Sequence, residues 1–178
     1  MSPPVHPSTH GDMRATAQDD AQAGRGEAGR DTEAQFRGIL AADAANEGAW
    51  LRLGGLTLDD GRHRMAARCF ARLMILAPHR AQAMHNLAEA LRLAGRTRQA
   101  AIAFTRALRL RPDYPKALAA YGLMLKDAGS GREARRLVAR ALVADPAFAM
   151  GWRNLGALAH ERNQPDAVVR RLRRAGMA

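Results

Sequence analysis

Seven residue positions recur at a fixed spacing of 34 along this chain of 178 residues. Trp50, Leu53, Gly54, Gly61, Ala66, Phe70 and Pro78 return as Met84, Leu87, Ala88, Gly95, Ala100, Phe104 and Pro112. They return again as Leu118, Tyr121, Gly122, Gly129, Ala134, Val138 and Pro146, and a further copy opens with Trp152, Leu155, Gly156, Asn163, Val168 and Leu172. A period between about 20 and 50 residues marks an array of like supersecondary units. With Glu47, Ala81, Pro115 and Ala149 as repeat position 1, positions 4, 7 and 11 fall on one stripe of a first helix, for example Met84, Leu87 and Leu91. Position 15 holds Gly61, Gly95, Gly129 or Asn163, residue types that tolerate the left-handed conformation ending a helix. A second helix presents positions 20, 24, 27 and 28, as in Ala100, Phe104, Ala107 and Leu108. Positions 8 and 20 stay small, as two closely crossing antiparallel helices require, with Val168 the departure at position 20. Proline at position 32 stops the second helix, because it lacks a donor and biases its predecessor away from helix. One hairpin leaves its apolar face open and stacked copies cover it, so the spacing predicts an all-α fold, an α-solenoid of antiparallel helix pairs.

The order large apolar, small, turn, small, aromatic, proline resembles the tetratricopeptide repeat family, over residues 47–178. The resemblance implies a right-handed superhelix with repeats at 47–80, 81–114, 115–148 and 149–178. Upstream, Phe36, Ile39 and Leu40 fall where positions 24, 27 and 28 of a preceding repeat would fall, so 31–46 is expected to be a lone helix covering the array. Residues 1–30 hold Pro3, Pro4, Pro7, Gly24, Gly26 and Gly29 and almost no large apolar side chains, which predicts a disordered tail. At the other end Ala178 is position 30 of the fourth repeat, and Val168, Val169 and Leu172 lie beside Arg170, Arg171, Arg173 and Arg174. An uncapped array exposes apolar surface, so self-association, a partner or a following domain is expected to cover this end.

No apolar run reaches the about 18 residues of a membrane span, and the N-terminus lacks the apolar stretch of a signal peptide, so a cytoplasmic location is expected. Cys69 is the single cysteine; at position 23 it reads as a small packing residue and leaves no internal disulfide. Catalysis is not expected. His63, His79, His85 and His160 occupy four different repeat positions, and His6 and His10 lie in the tail, so no metal or cofactor is expected. Ser130, between Gly129 and Gly131, reads as a turn residue rather than a nucleophile, and no phosphate-cradling Gly-Lys-Ser/Thr occurs. His160 and Glu161, adjacent in a helical pattern, point about 100° apart and read as solvated surface.

Charge is distributed unevenly. Residues 1–46 carry four arginines against seven acids, a net −3, while 47–178 carry 24 lysines and arginines against 10 acids, a net +14. Second-helix positions 18, 22 and 26 share one exposed face and read Arg64, Arg68, Arg72, then Arg98, Ile102, Arg106, then Arg132, Arg136, Arg140, then Asp166, Arg170, Arg174. Arginine at a helix N-terminus opposes the helix dipole, which suggests a polyanion-binding stripe for nucleic acid or an anionic membrane. The scarcity of aromatics for stacking counts against single-stranded nucleic acid. A coding bias is the competing explanation, since 26 arginines stand against 2 lysines.

The resemblance further implies that a partner binds the concave face at first-helix positions 2, 5, 6, 9, 12 and 13. These hold His85, Asn86, Glu89, Arg92, Lys116, Lys126, Arg153 and Asn154, a set suited to an extended, acidic peptide segment of a protein partner. Family members that clamp chaperone tails use five donors at positions which here are Leu51, Gly55, Asn86, Lys116 and Ala120, and the two matches leave carboxylates without paired donors. An interaction scaffold is therefore the favoured reading. The arginine stripe is the alternative, and a third reading makes these repeats the N-terminal regulatory part of a longer transferase.

Overall fold

The structure, a computed structural model, describes residues 32–160, and the regular structure there is α-helical. Helix α1 covers 32–42, and three antiparallel pairs follow. They are α2 (Glu47–Asp59) with α3 (His63–Leu76), α4 (Ala81–Leu93) with α5 (Thr97–Leu110), and α6 (Pro115–Asp127) with α7 (Gly131–Ala144). The first helix of a fourth pair, α8 (Ala149–His160), ends the described part. The expected tail at 1–30 and the stretch carrying Val168, Val169, Arg170, Leu172 and Arg174 lie outside the described residues.

Each pair reverses through the same backbone device. Gly61, Gly95 and Gly129 take φ values of 72°, 76° and 80°, a region that strains any residue with a Cβ. Beside them the N–H groups of Arg62, Arg96 and Ser130 each donate at 2.8 Å to the carbonyls of Thr57, Leu91 and Leu125. The glycine N–H groups reach the carbonyls of Leu58, Arg92 and Lys126 at 3.0, 3.0 and 2.9 Å. These paired bonds satisfy carbonyls that the end of the first helix would leave open. The second helices stop at Leu76, Leu110 and Ala144, two residues short of Pro78, Pro112 and Pro146.

Between the two helices of a pair the packing is close. Ala66, Ala100 and Ala134 are fully buried, as are Phe104 and Val138, with Phe70 almost so. A Cβ added to Gly54 would lie 2.5 Å from the Phe70 ring, and one added to Gly122 would lie 2.9 Å from Val138 Cγ2 and 3.1 Å from the Ala134 carbonyl oxygen. Small residues at positions 8 and 20 are thus demanded by contact. Thr57, at a position that is leucine in the next two repeats, is buried yet satisfied, since its hydroxyl donates to the carbonyls of Leu53 and Gly54 at 2.9 and 3.0 Å.

Helix α1 stands in the repeat frame. Trp50 Nε1 donates to the Ala44 carbonyl at 2.9 Å, and Trp152 Nε1 donates to the Pro146 carbonyl at 2.8 Å, each six residues back. Ala44 therefore occupies the place that proline holds between later repeats. Glu33 of α1 is largely buried, accepts from Arg62 Nη1 and Nη2 at 3.2 and 2.5 Å, and pairs with Arg37 at 2.7 Å. The Arg62 hydrogen bonds outweigh burial and hold the Glu33 carboxyl below the usual carboxylate range.

Gly54 and Gly55 are neighbours in α2, but a Cβ on Gly55 would meet nothing within 4 Å. Alanine in place of a helical glycine gains about 1 kcal/mol of propensity, while overpacking a buried contact costs about 1–3 kcal/mol. Gly55→Ala should raise the urea midpoint and Gly54→Ala should lower it. Equal shifts would show that the Phe70 ring moves aside freely.

Candidate functional site

The two kinds of helix form two unlike faces. From α4 onward the first helices of consecutive repeats lie against one another, α4 with α6 and α6 with α8, whereas α2 with α4 and consecutive second helices make no comparably close approach. The first-helix side is therefore the narrower one, and it carries the residues that the sequence assigned to peptide binding.

On this side His85 is held by aromatic rings. Its ring meets Tyr114 edge-on with centroids 5.2 Å apart and leans on Phe104 at 6.1 Å. Phe104 in turn stacks on Tyr121 at 5.4 Å, and the Arg111 guanidinium lies 5.1 Å above the Tyr114 ring. Burial pushes the His85 imidazole down to about 4, with the Lys116 charge adding to the depression and Glu89 opposing it. His85 is thus neutral near pH 7, and its Nδ1 is buried without a partner among the described residues. The sequence offered it as a peptide contact; the structure packs its ring within the second repeat, against Phe104 and Tyr114.

Arg92 also differs from its expected role as a groove cation. It pairs with Glu89 at 2.6 and 3.1 Å, one helical turn away and partly shielded from solvent. That hydrogen bond raises the guanidinium further, and the Asp127 charge on α6 assists. Lys116 and Arg153 are exposed and form no ion pair with a described residue, while Lys126 is half-buried. Asn154 donates from Nδ2 to the Ala119 carbonyl of α6 at 3.4 Å, across the repeat boundary. Asn86, at the same repeat position, is half-buried and its amide makes no hydrogen bond among the described residues. Of the residues that the sequence assigned to this face, Lys116 and Arg153 are exposed cations and Asn86 an uncommitted amide, with the Glu89–Arg92 pair between them.

The opposite side carries the arginine stripe. Arg64, Arg68, Arg72, Arg98, Arg106, Arg132 and Arg136 are exposed and form no ion pair among the described residues. Arg140 donates to the Pro112 carbonyl at 2.9 Å and so ties α7 to the preceding loop. The stripe flanks a furrow of about 650 Å³ between α3 and α5, floored by Met84, Leu87 and Leu91 of α4. A second furrow of about 500 Å³ lies one repeat earlier, between α1 and α3 over Trp50 and Leu53. Helical periodicity places the arginines but says nothing of gaps between stacked repeats. Cys69 is buried beside this second furrow, and burial pushes its thiol up. Among the described residues no three His, Cys or carboxylate side chains are placed to share a metal, and no helix is long and apolar enough to cross a membrane.

Residues 81–114 match the family model for the tetratricopeptide repeat. No curated protein sequence matches the chain. Among solved structures, the chain is similar to the crystal structure of MamA, at 22% identity over 93% of this chain and 91% of that one, with a TM-score of 0.68. It is also similar to the first tetratricopeptide domain of Spaghetti (RPAP3) bound to the HSP90 peptide SRMEEVD, at 19% identity over 68% of this chain and 97% of that one, with a TM-score of 0.62. PilF of Pseudomonas aeruginosa gives 22% identity over 71% of this chain and 57% of that one, with a TM-score of 0.62. Identities this low speak to fold alone. Residues 81–114 thus match one tetratricopeptide repeat, and the described residues share the fold of the tetratricopeptide solenoids.

The buried imidazole sets a pH dependence. Its ordinary pKa is 6.5 and its folded value about 4, so the unfolded chain binds more protons between those limits. The stability that neutral His85 contributes is complete above about pH 6.5 and is lost as pH falls towards 4, with a slope of up to ~1.4 kcal/mol per pH unit. Urea unfolding of the protein and of His85→Phe at pH 4.5 and 7 should show a smaller loss on acidification in the variant. Identical losses would place the imidazole in solvent.

Proposed function

We propose that this tetratricopeptide-repeat solenoid is a protein-interaction scaffold, and that it captures an extended acidic segment of a partner along α4, α6 and α8. The observation that carries the reading is the pair of exposed cations, Lys116 on α6 and Arg153 on α8, on the same side as the uncommitted Asn86 amide of α4. Carboxylates meet the two cations, and the amide both donates to and accepts from an extended main chain. The Glu89–Arg92 pair, already internally matched, contributes shape and keeps the groove from attracting any polyanion indiscriminately. The structure of the RPAP3 domain with its acidic peptide supports the general mode. Leu51, Gly55 and Ala120 stand here where chaperone-tail clamps carry polar or charged donors, which supports a partner with a different arrangement of acids.

An array of about 12-residue peptides with graded acid content tests the reading, since exposed charge pairs add modestly and summed contacts set affinity. The strongest binders should be rich in Asp and Glu, and Lys116→Glu with Arg153→Glu should weaken them about tenfold while helical circular dichroism is unchanged. Binding that ignores acid content, or that survives the double variant, contradicts the proposal.

A further inference from the structure

The geometry of the second-helix face points to a separate docking site: we propose that the furrow between α3 and α5 takes an amphipathic acidic protein segment, apolar side chains down and carboxylates on its rims. Position 22 of the second helix is Arg68 in the first repeat and Arg136 in the third, but Ile102 in the second. Ile102 is 57% exposed and lines the furrow, whose floor is the apolar surface of Met84, Leu87 and Leu91. A large aliphatic side chain held in water beside an open apolar channel lacks the neighbour that would cover it.

The rims say which neighbour fits. Arg64 and Arg68 stand on the α3 wall and Arg106 on the α5 wall, and none forms an ion pair with a described residue. A ligand that neutralises them must be anionic, and one that covers Leu87 and Ile102 must also be apolar. Nucleic acid meets the first requirement only, since its phosphates offer nothing to the floor. A second copy of this chain would bring another basic repeat array, net +14 over 47–178, against the same arginines. A bilayer presents a broad surface to a floor recessed between two helices. A helix or strand with acids on one face and aliphatic side chains on the other meets both requirements. The channel also recurs in register: Arg68 lines the α1/α3 furrow as well, with Arg72 beyond it and Trp50 and Leu53 below. A segment bound over α3 therefore reaches two apolar floors across one shared arginine.

The test uses the full chain and a fluorescein-labelled peptide of about 18 residues, leucine and glutamate in helical register, read by anisotropy. A scramble of the same composition, poly-glutamate, duplex DNA and vesicles of phosphatidylcholine with phosphatidylserine serve as the other probes. The amphipathic peptide should bind about tenfold tighter than its scramble or poly-glutamate, and neither DNA nor vesicles should compete at about 150 mM salt. Ile102→Glu, and separately Arg68→Glu with Arg106→Glu, should each weaken it about tenfold. These side chains are exposed, so unchanged circular dichroism and melting serve as the folding control. Lys116→Glu with Arg153→Glu should leave this binding intact, which separates it from the groove on the opposite side. No binding, equal binding of scramble or poly-glutamate, competition by DNA or vesicles, or indifference to both second-helix variants overturns the proposal.

Discussion

Where the first and second helices of a repeat cross, there is no room for a Cβ on Gly54 or Gly122 without displacing Phe70 or the Val138 methyl. That contact fixes how near the two helices approach and therefore which side chains are used up between them. Positions 20 and 24 are consumed there, as the full burial of Ala100 and Phe104 shows. The left-handed glycines at position 15, with φ between 72° and 80°, then return each second helix along the first through one and the same turn. With both contact and turn repeated, every copy presents the same two outward faces, and surface chemistry becomes a function of repeat position.

The faces differ in how their charges are balanced. On the first-helix side Glu89 pairs with Arg92, Asp127 adds to the field at Arg92, and His85 is kept neutral by burial. On the second-helix side Arg64, Arg68, Arg72, Arg98, Arg106, Arg132 and Arg136 form no ion pair among the described residues, and α3 and α5 carry no acid in their first turns. Each arginine near those N-termini costs a few tenths of a kcal/mol against the helix dipole. An external carboxylate would remove that repulsion, whereas the groove opposite is already partly self-neutralised. The two faces are thus of unequal electrostatic strength.

Much of the architecture was legible because it depends on residues of one repeat. Helix pairs, the glycine turns and the small residues at the crossing follow from local periodicity, and so does the exposure of the stripe. The departures are side-chain pairings that the repeat frame does not specify. His85 reads as a polar surface residue from its place in α4, but Tyr114, 29 positions later, encloses it. The Glu89–Arg92 pair is an i, i+3 spacing visible in the sequence, and weighing it would have removed Arg92 from the free cations. The furrows were not legible, because periodicity assigns Met84 and Leu87 to a buried stripe and contains no term for the gap left when α3 and α5 stand apart.

The most direct check on the assignment of faces is a nitrogen–proton correlation spectrum of the full chain titrated with the strongest extended acidic peptide. The side-chain amide signals of Asn86 and Asn154, with backbone signals around Lys116 and Arg153, should shift together along one saturation curve. Shifts confined to α3, α5 and α7, with both asparagine amides unmoved, would contradict the account.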